Sequence, residues 1–411
     1  MAGEPAAPGP GPAVRHQASL PTVLREWGRI GCIGFGGPPA HIALLRQLCV
    51  ERRQWLDAQE FEDAISACNL LPGPASTELA IFCAWRVRGR LGALAGGLAF
   101  IVPGLICILA LSALFLAGTP PLWVKGAGAG AGAAVAAVAV QAGWSLVPPS
   151  WKRAAGSRSR QLRWTGYLLA GGAAAATIGP WLVLVILACG VTELAIRGQP
   201  RADGPSAITL FPLLAARAIR TAGPARALGA ATGAGVLLPL AWTALKVGAL
   251  SFGGGFVIIP LMQADATRHH WMTSAQFLNG VALGQITPGP VVQTVATVGY
   301  AAAGIGGGLL AALIAFSPSF VFVLAGARYF GALRGNSRAQ SFLDGAGPAA
   351  IGAIGGSALL LARALSQPWQ YAVLAAAALL LLGLRRGVVL TLLAAAIAGV
   401  IITLAGGPLP H

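Results

Sequence analysis

Charged side chains are scarce in this sequence. Only 10% of its 411 residues are charged, whereas 56% are hydrophobic and the mean hydropathy is +0.73. A soluble domain carries about 25% charged residues, so this chain cannot cover a surface that faces water on all sides. Several apolar runs have the roughly 20 residues that a bilayer-spanning helix requires. The sequence therefore predicts an all-α polytopic membrane protein in contact with the lipid bilayer.

Acidic residues are rarer still. The chain has 28 Lys and Arg against 12 Asp and Glu, which gives a net charge of +16. In a soluble protein this excess would suggest a nucleic-acid partner. Here the bases cluster in loops between apolar runs, as the positive-inside rule expects, and we expect no nucleic-acid partner. The two largest clusters are Lys152, Arg153, Arg158, Arg160 and Arg163, and Arg197, Arg201, Arg217, Arg220 and Arg226.

Several signatures of chemistry are also missing from the sequence. The six cysteines form no C-x-x-C pair, and the five histidines lack metal-ligand spacing. No G-x-x-x-x-G-K-[ST] motif occurs, which argues against direct ATP drive within this chain. We therefore expect no catalytic residue, no metal site and no cofactor. Coupling would then come from an ion gradient, from exchange or from the membrane potential.

One stretch of the chain occurs twice, which indicates an internal duplication. The first copy runs from Arg29 to Glu78, and the second opens at Ser251 and closes at Pro290. This many Trp, Phe, Gly and Pro coincidences are not expected by chance. The matched pairs are Arg29 and Lys246, Phe35 and Phe252, Gly36 and Gly253, Trp55 and Trp271, Phe61 and Phe277, Pro72-Gly73-Pro74 and Pro288-Gly289-Pro290, Gly92 and Gly308, and Phe100 and Phe316.

The duplication and the apolar runs divide the chain into segments. Residues 1–20 are rich in Pro, Gly and Ala and are predicted to be a disordered tail rather than a signal peptide. The first membrane repeat is predicted at 21–196, followed by a basic cytoplasmic linker at 197–225. An apolar run at 226–241 suggests an extra central crossing, and the second membrane repeat follows at 242–405.

The loop charges bear on the orientation of the two halves. If the first half starts and ends in the cytoplasm, an extra crossing at 226–241 places the second half's basic loops, Arg328–Arg338 and Arg385-Arg386, in the cytoplasm too. The charges therefore favour an inverted repeat with about 12–13 helical elements, some of them broken or re-entrant.

The repeated motifs predict broken helices that hold an anion. A Pro-Gly-Pro in mid-membrane frees backbone groups, which must then face a wet or protein-lined cavity. A helix that restarts there points its free N–H groups and positive dipole end at the cavity, and glycine lets the backbone approach a ligand. The candidate substrate-binding residues are Phe35, Gly36, Gly37, Pro38, His41, Pro72, Gly73, Pro74, Ser76 and Thr77 in the first half, and Phe252, Gly253, Gly254, Gly255, Thr287, Pro288, Gly289, Pro290 and Gln293 in the second.

Three charged residues near these breaks are candidates for attracting or coupling ions, because charge inside an apolar span is functional by default. Arg29 and Lys246 occupy matching places before each Phe-Gly-Gly, although both could instead snorkel to the interface. Glu78 lies one helical turn after Pro74, and its match by sequence is Thr294, so this acid is not duplicated. It could take up a proton that is coupled to transport, or pair with an arginine.

These motifs resemble those of the chromate ion transporter family, in its long two-domain bacterial form. The resemblance covers nearly all of the chain from about residue 20 onward. One departure is Glu78, where a neutral residue is expected in many members of the family. The residues that carry the resemblance are Gly34–Ala43, Trp55-Leu56, Pro72–Thr77, Ser251–Gly255, Pro260-Leu261, Thr287–Pro290 and Gly299-Tyr300.

The resemblance implies a secondary transporter in the bacterial inner membrane that exports chromate and confers chromate resistance. Sulfate is the related oxyanion, because both are tetrahedral dianions of similar size, and the residues do not choose between them. The same architecture could serve another inorganic anion or form an anion channel. The sequence leaves open whether the protein forms a homodimer.

Two further readings compete with the transporter. The prolines could only kink helices for packing, although four matched breaks argue against this. A membrane enzyme would need a polar cluster near one membrane face, and the acidic loop 51–63 is the one candidate. Its helical spacing is more typical of a solvated amphipathic surface than of an enzyme that depends on Glu60 or Asp63.

Overall fold

The fold is helical throughout the part of the chain that the structure describes. A computed structural model describes residues 18–69, 73–116, 118, 120–177, 181–197, 234–251, 256–326 and 336–410. No strand occurs in these residues. The predicted all-α class is thereby confirmed. Of the predicted linker at 197–225, all but the first residue lies outside the described residues, as does most of the predicted tail.

The described residues of the first half form seven helices. Ser19 caps the first of them, since its hydroxyl accepts a hydrogen bond from the Thr22 N–H, and this helix starts at the last residue of the predicted tail. The helices are α1 (Leu20–Ile33), α2 (Pro38–Arg46, continued by a π-helical turn Gln47–Arg52), α3 (Ala58–Cys68), α4 (Ala75–Phe115), α5 (Leu122–Ala154), α6 (Arg158–Thr177) and α7 (Leu182–Arg197).

The second half repeats this order. Its described helices are α8 (Ala234–Ala249), a 3₁₀ turn Phe256–Ile258 with α9 (Ile259–Arg268), α10 (Ser274–Ile286), a 3₁₀ turn Val291–Gln293 with α11 (Thr294–Gly326), α12 (Ser337–Arg363), α13 (Pro368–Ala378, continued by a π-helical turn Leu379–Gly383) and α14 (Val388–Leu404).

Fine backbone details match between the two halves. The loop after α2 contains a left-handed residue, Gln54 (φ 49°), and the loop after α9 contains His270 (φ 56°) at the corresponding place. Asp57 then caps α3 and Thr273 caps α10. Positive φ is uncommon in residues other than glycine, so a shared occurrence indicates a shared fold. The two homologous halves are therefore visible in the backbone as well as in the sequence.

The start of the second half differs from the predicted boundary. Helix α8 runs without interruption through residues 241 and 242, where the sequence suggested an end to a separate crossing. Pro239 lies inside α8 and does not end it. Because α8 occupies the place of α1, residues 234–241 belong to the second repeat itself. Residues 226–233 of the predicted crossing lie outside the described residues.

Four helices in the described ranges are long and apolar enough to cross a membrane, judged by length and composition. Two of them, α4 and α11, bend at matching points, where Gly89 (φ 66°) and Gly304 (φ 62°) leave the helical region. The four candidate spans are Ala75–Phe115, Leu122–Ala154, Val291–Gly326 and Ser337–Arg363. The chain is a multi-pass membrane protein.

The two halves are interleaved rather than side by side. Helix α12 of the second half packs along α6 and α7 of the first, and α5 of the first half packs along α13 and α14 of the second. Glycines allow backbones to approach closely at these crossings. A Cβ on Gly171 would overlap the Ala349 carbonyl oxygen, and a Cβ on Gly352 would overlap that of Leu168. Each half is thus completed by helices of the other.

An ionic network also joins the halves. The Glu193 carboxylate on α7 is buried, accepts from Arg163 Nε at 2.7 Å and from Arg197 Nε at 2.6 Å, and also accepts from the Tyr167 hydroxyl at 3.1 Å. The Arg197 guanidinium reaches Asp344 of α12 at 2.7 Å. Glu193 therefore balances two cations at the boundary between the halves.

We expect Glu193→Gln to lower the free energy of unfolding by about 2 kcal/mol. Removing the buried charge leaves two arginines short of a partner, and their partial exposure lets water offset part of the loss. Thermal unfolding of the purified protein in detergent, followed by tryptophan fluorescence, measures the change. The control is Glu62→Gln, which removes an exposed partner of Arg46 and should alter stability by less than about 1 kcal/mol. Equal melting temperatures for both variants would contradict the prediction.

Candidate functional site

Breaks from opposite halves meet in the protein. The Gly289 N–H of the second half donates a hydrogen bond to the Gly34 carbonyl of the first half at 3.0 Å. A Cβ on Gly37 would lie 3.8 Å from a methyl group of Val291. The first break of one half therefore contacts the second break of the other. Broken helices joined across a repeat are the arrangement in which transporters build a central site.

His41 ties the first break to the second break of its own half. Its Nε2 lies 2.9 Å from the Gly34 carbonyl oxygen, and its Nδ1 lies 3.2 Å from the Ser76 hydroxyl. A carbonyl can only accept, so Nε2 carries hydrogen, and in the neutral ring Nδ1 then accepts from Ser76. The ring is fully buried and packs edge-on against Phe100 with centroids 5.0 Å apart. His41 thus fixes the relative position of α2 and α4.

The N-terminus of α4 presents unused hydrogen-bond donors. Pro74 precedes the helix, and no side chain caps its first turn. Ser76 and Thr77 are buried there, and the Thr77 hydroxyl has no hydrogen-bond partner among the described residues. Uncapped N–H groups at the positive end of a helix dipole form an anion-binding site, and a free hydroxyl adds a donor. This end of α4 can therefore hold an anion without a cationic side chain.

The second half uses its break differently. The Gln293 side chain is fully buried and donates from Nε2 to the Ile101 carbonyl of α4 at 2.9 Å. Its Oε1 has no hydrogen-bond partner in the part of the chain that the structure describes. The Thr287 hydroxyl donates to the Leu283 carbonyl of its own helix at 2.9 Å. Its hydrogen is therefore not available to a ligand in this conformation. Pro288, Gly289 and Pro290 are buried beside these groups.

The structural counterpart of Glu78 is Gln293, which corrects the match to Thr294 made from the sequence. The stretch from Pro290 to the bend at Gly304 is one residue shorter than the stretch from Pro74 to the bend at Gly89. The reason is the 3₁₀ turn that opens the second helix, because a 3₁₀ turn covers the same length with fewer residues.

The side chains confirm this shifted register. A Cβ on Gly73 would overlap the Glu78 carboxyl, and a Cβ on Gly289 would lie 2.9 Å from Gln293 Nε2. Both side chains thus fold back onto the glycine of their own break. The same shift moves the later matches by one place, so Gly92 corresponds to Gly307 and Phe100 to Ala315 rather than to Gly308 and Phe316. An acid in the first half therefore takes the place of an amide in the second.

The two basic candidates have different surroundings. Arg29 is exposed on α1. Lys246 on α8 forms an ion pair with Asp265 of α9 and lies 5.9 Å from the centre of the Trp242 ring. Asp265 also accepts from the Thr243 hydroxyl at 2.8 Å. The charge of Lys246 is thus balanced within its own half, and Arg29 has the exposure of a residue that snorkels to the interface.

The remaining predicted residues fall into two groups. In the first break Phe35 and Gly36 are exposed, whereas Gly37 and Pro38 are half-buried. Pro72 and the whole second-half motif Phe252, Gly253, Gly254 and Gly255 lie outside the described residues. Among the described residues, no group of three or more His, Cys, Asp or Glu comes together in a way that could hold a metal ion.

Sequence reasoning missed the residues that close the site across the halves. A Cβ on Gly104 of α4 would overlap the Pro288 carbonyl oxygen and the Gln293 amide, and the Ser319 hydroxyl of α11 faces Gly73 in the first half. Gly104 follows Pro103, and Ser319 follows Pro318, at matching places in the two long helices. This repeated proline was the signal available in the sequence.

The fold and the site define a class: a polytopic membrane protein whose two halves bring broken helices together around buried donors. Comparison with known proteins assigns the family. The model of the chromate transporter family matches residues 22–194 and 238–400, and the chain belongs to this family.

Curated relatives cover most of the chain. It is 31% identical over 355 residues to the chromate transport protein of Pseudomonas aeruginosa, covering 85% of this chain and 83% of that protein. It is 30% identical over 359 residues to the chromate transport protein of Cupriavidus metallidurans, covering 84% and 83%. A probable chromate transport protein of Synechococcus elongatus is 29% identical, covering 84% and 85%. These relatives are named as transport proteins. No solved structure matches this chain.

Proposed function

We propose that this protein is a secondary transporter that exports chromate across the bacterial inner membrane and also recognises sulfate. The anion is held at the middle of the membrane, between the breaks of the two halves. The choice of chromate rests on the named activity of the relatives. The physics of the site supports an oxyanion but does not choose one, because both dianions are tetrahedral and of similar size.

The hydrogen bond from the Gly289 N–H to the Gly34 carbonyl carries this proposal. It joins a break of one half to a break of the other beside the uncapped N-terminus of α4. An anion bound there would contact elements that belong to both halves, so a rocking of one half against the other would open the site to either side. The Thr77 hydroxyl, which has no partner among the described residues, adds a donor in the first turn of the same helix.

The orientation of the halves is part of the proposal. The basic loops of both halves lie on one side only if the second half is inverted, and this charge distribution supports cytoplasmic placement of those loops. Export of a dianion from a cell with a negative interior is favoured by the membrane potential. No ATP-binding loop motif is needed for such a cycle.

A transporter or channel for another inorganic anion, such as sulfate, is the second candidate. The observation that favours it is the site itself, whose backbone and hydroxyl donors would hold any tetrahedral oxyanion. An enzyme centred on the acidic loop 51–63 is less well supported. Glu60 forms an ion pair with Arg86, and Asp63 accepts from the Gln59 amide at 2.7 Å, so these acids have structural partners.

The test is oxyanion flux into inverted membrane vesicles that carry the protein. We expect saturable accumulation of labelled chromate that sulfate inhibits. The variant Thr77→Val keeps the side-chain shape but removes the free hydroxyl, and it should weaken apparent affinity about tenfold or more, as expected for a hydrogen bond to a charged ligand. Thr165→Val, which removes a hydroxyl bonded to its own helix on the exposed side of α6, serves as the control.

The outcomes separate the candidates. Sulfate flux without chromate flux would keep the transporter and discard chromate. Equilibration of chromate without accumulation would indicate a channel. Absence of flux of either anion through correctly inserted protein would contradict the proposal and leave the breaks as packing kinks.

A further inference from the structure

Glu78 is a buried ionisable residue to which the proposed anion site assigns no role. Its side chain is 0% exposed, and neither carboxyl oxygen has a hydrogen-bond partner in the described structure. Two hydroxyls without a partner among the described residues belong to the same region: Thr77, next to Glu78 in the first turn of α4, and Ser319 of α11, which with the Glu78 carboxyl faces Gly73. A buried acid with a purely structural role would form ion pairs or hydrogen bonds, as Glu193 does. An unpaired acid inside a membrane protein marks a functional position.

The groups facing Glu78 do not balance a negative charge. The buried Cys68 thiol at the end of α3 lies near Glu78, and α11 contributes the Ser319 hydroxyl, which faces Gly73 beside the Glu78 carboxyl. His41 of α2 is the other titratable group at this end of α4, and its two nitrogens are engaged by Gly34 and Ser76. No described cation forms an ion pair with Glu78. Burying an ionised carboxylate without a partner is strongly unfavourable, so the neutral acid fits this environment.

The symmetry-related position shows which chemistry the site accepts. There Gln293 presents a neutral group that donates to the Ile101 carbonyl at 2.9 Å. By the same register, Ile101 corresponds to Phe316 and Gly104 to Ser319. A carboxylate has no hydrogen to donate, whereas a protonated carboxyl has one and resembles the amide in shape. The equivalent place in the first half is therefore suited to a protonated Glu78.

We propose that Glu78 is a proton-binding site coupled to anion transport. The proton is held on the carboxyl while a dianion occupies the N-terminus of α4, because an ionised Glu78 in the same turn would repel the dianion. When this region opens to water, the O–H bond breaks, the carboxylate is hydrated, and the proton and the dianion leave on the same side. One proton then accompanies each dianion. This inference rests on the proposed function, whose site it shares.

The protonation state can be measured without transport. The infrared spectrum of the purified protein in lipid at neutral pH should contain the C=O stretch of a protonated carboxylic acid, shifted in D₂O. The difference spectrum between wild type and Glu78→Gln should show that this band is lost. Glu62→Gln, which removes an exposed acid, should leave the band in place. A band that is unchanged in Glu78→Gln would overturn the proposal.

The coupling is measured in proteoliposomes whose membrane potential is clamped with potassium and valinomycin. With one proton per dianion, making the side of uptake more acidic by one pH unit should raise the steady-state chromate ratio about tenfold. In Glu78→Gln the ratio with and without the gradient should be about equal, because the coupled group is absent. Glu62→Gln should keep the wild-type response.

The results distinguish this inference from the proposed function. Chromate accumulation that ignores the pH gradient, responds with the opposite sign, or keeps its response in Glu78→Gln would overturn the coupling and leave the transporter intact. If chromate is not transported at all, the proposed function fails and the coupling fails with it, whatever the infrared result. If Glu78→Gln is inactive, its lost infrared band together with the wild-type gradient response supports the proposal, and a retained band overturns it.

Discussion

Replacing Gly104 by alanine should remove most chromate accumulation. The added methyl group would overlap the Pro288 carbonyl oxygen and the Gln293 amide, which belong to the break of the other half. The carbonyl is backbone and cannot rotate away, so the break must shift and its hydrogen bond to Gly34 must lengthen. An overpacking cost of about 1–3 kcal/mol at this contact should lower the initial rate of chromate uptake about 5- to 150-fold. Initial uptake rates in inverted vesicles measure it.

The control for Gly104 is Gly355→Ala on α12, where an added Cβ meets nothing within 4 Å. This variant should transport normally, because alanine is at least as favourable as glycine inside a helix. Both proteins should be quantified in the membrane by an epitope tag, so that flux is compared at equal insertion. Normal flux by Gly104→Ala would contradict the described contact between α4 and the second-half break.

Gly352→Ala should destabilise the protein more than any substitution at an open glycine. Its Cβ would overlap the Leu168 carbonyl oxygen, and α6 would have to separate from α12 to make room. Because the obstacle is a helix backbone, we expect a loss of about 3 kcal/mol, at the upper end of overpacking costs. Thermal unfolding in detergent provides the measurement. The loss should be similar for Gly171→Ala, which faces the Ala349 carbonyl in the same interface.

The matched control is Gly166→Ala on α6, which has no neighbour within 4 Å. It should leave stability unchanged or raise it by about 0.5–1 kcal/mol, because alanine loses less backbone entropy in a helix. Combining Gly171→Ala with Gly352→Ala should cost less than the sum of the single losses, since one separation of the helices relieves both clashes. A strictly additive double variant would argue that the two glycines act at independent places.

The breaks and the repeat could be predicted from sequence because their residues have strong local effects. Pro-Gly-Pro cannot continue a helix, and glycine with tryptophan and phenylalanine at matched places is a rare coincidence. The two repeats and the breaks at Pro-Gly-Pro followed from these signals, whereas the bends at Gly89 and Gly304 were not predicted. The start of α8 was not predicted either, because Pro239 suggested an end and the chain tolerates this proline inside the helix.

The pairing of side chains was less accessible from sequence. Gln293 replaces Thr294 as the counterpart of Glu78 only because a 3₁₀ turn shortens the second copy, and three residues of 3₁₀ helix leave no sequence signature. The Lys246–Asp265 pair crosses a break, so helical spacing does not predict it. Contacts such as Gly104 with Pro288 join residues far apart in the chain, and the repeated proline before Gly104 and Ser319 marks the position without naming the partner.

The difference between Glu78 and Gln293 has a consequence for how such a protein can evolve. Two identical short chains assembled around a two-fold axis must carry the same residue at both places, so an acid would occur twice or not at all. Joining the copies in one chain removes this restriction. One copy can then keep a neutral amide that holds the halves together through Ile101, while the other acquires an ionisable group. After gene fusion, two positions that were once identical by symmetry can thus take different roles, one in packing and one in ionisation.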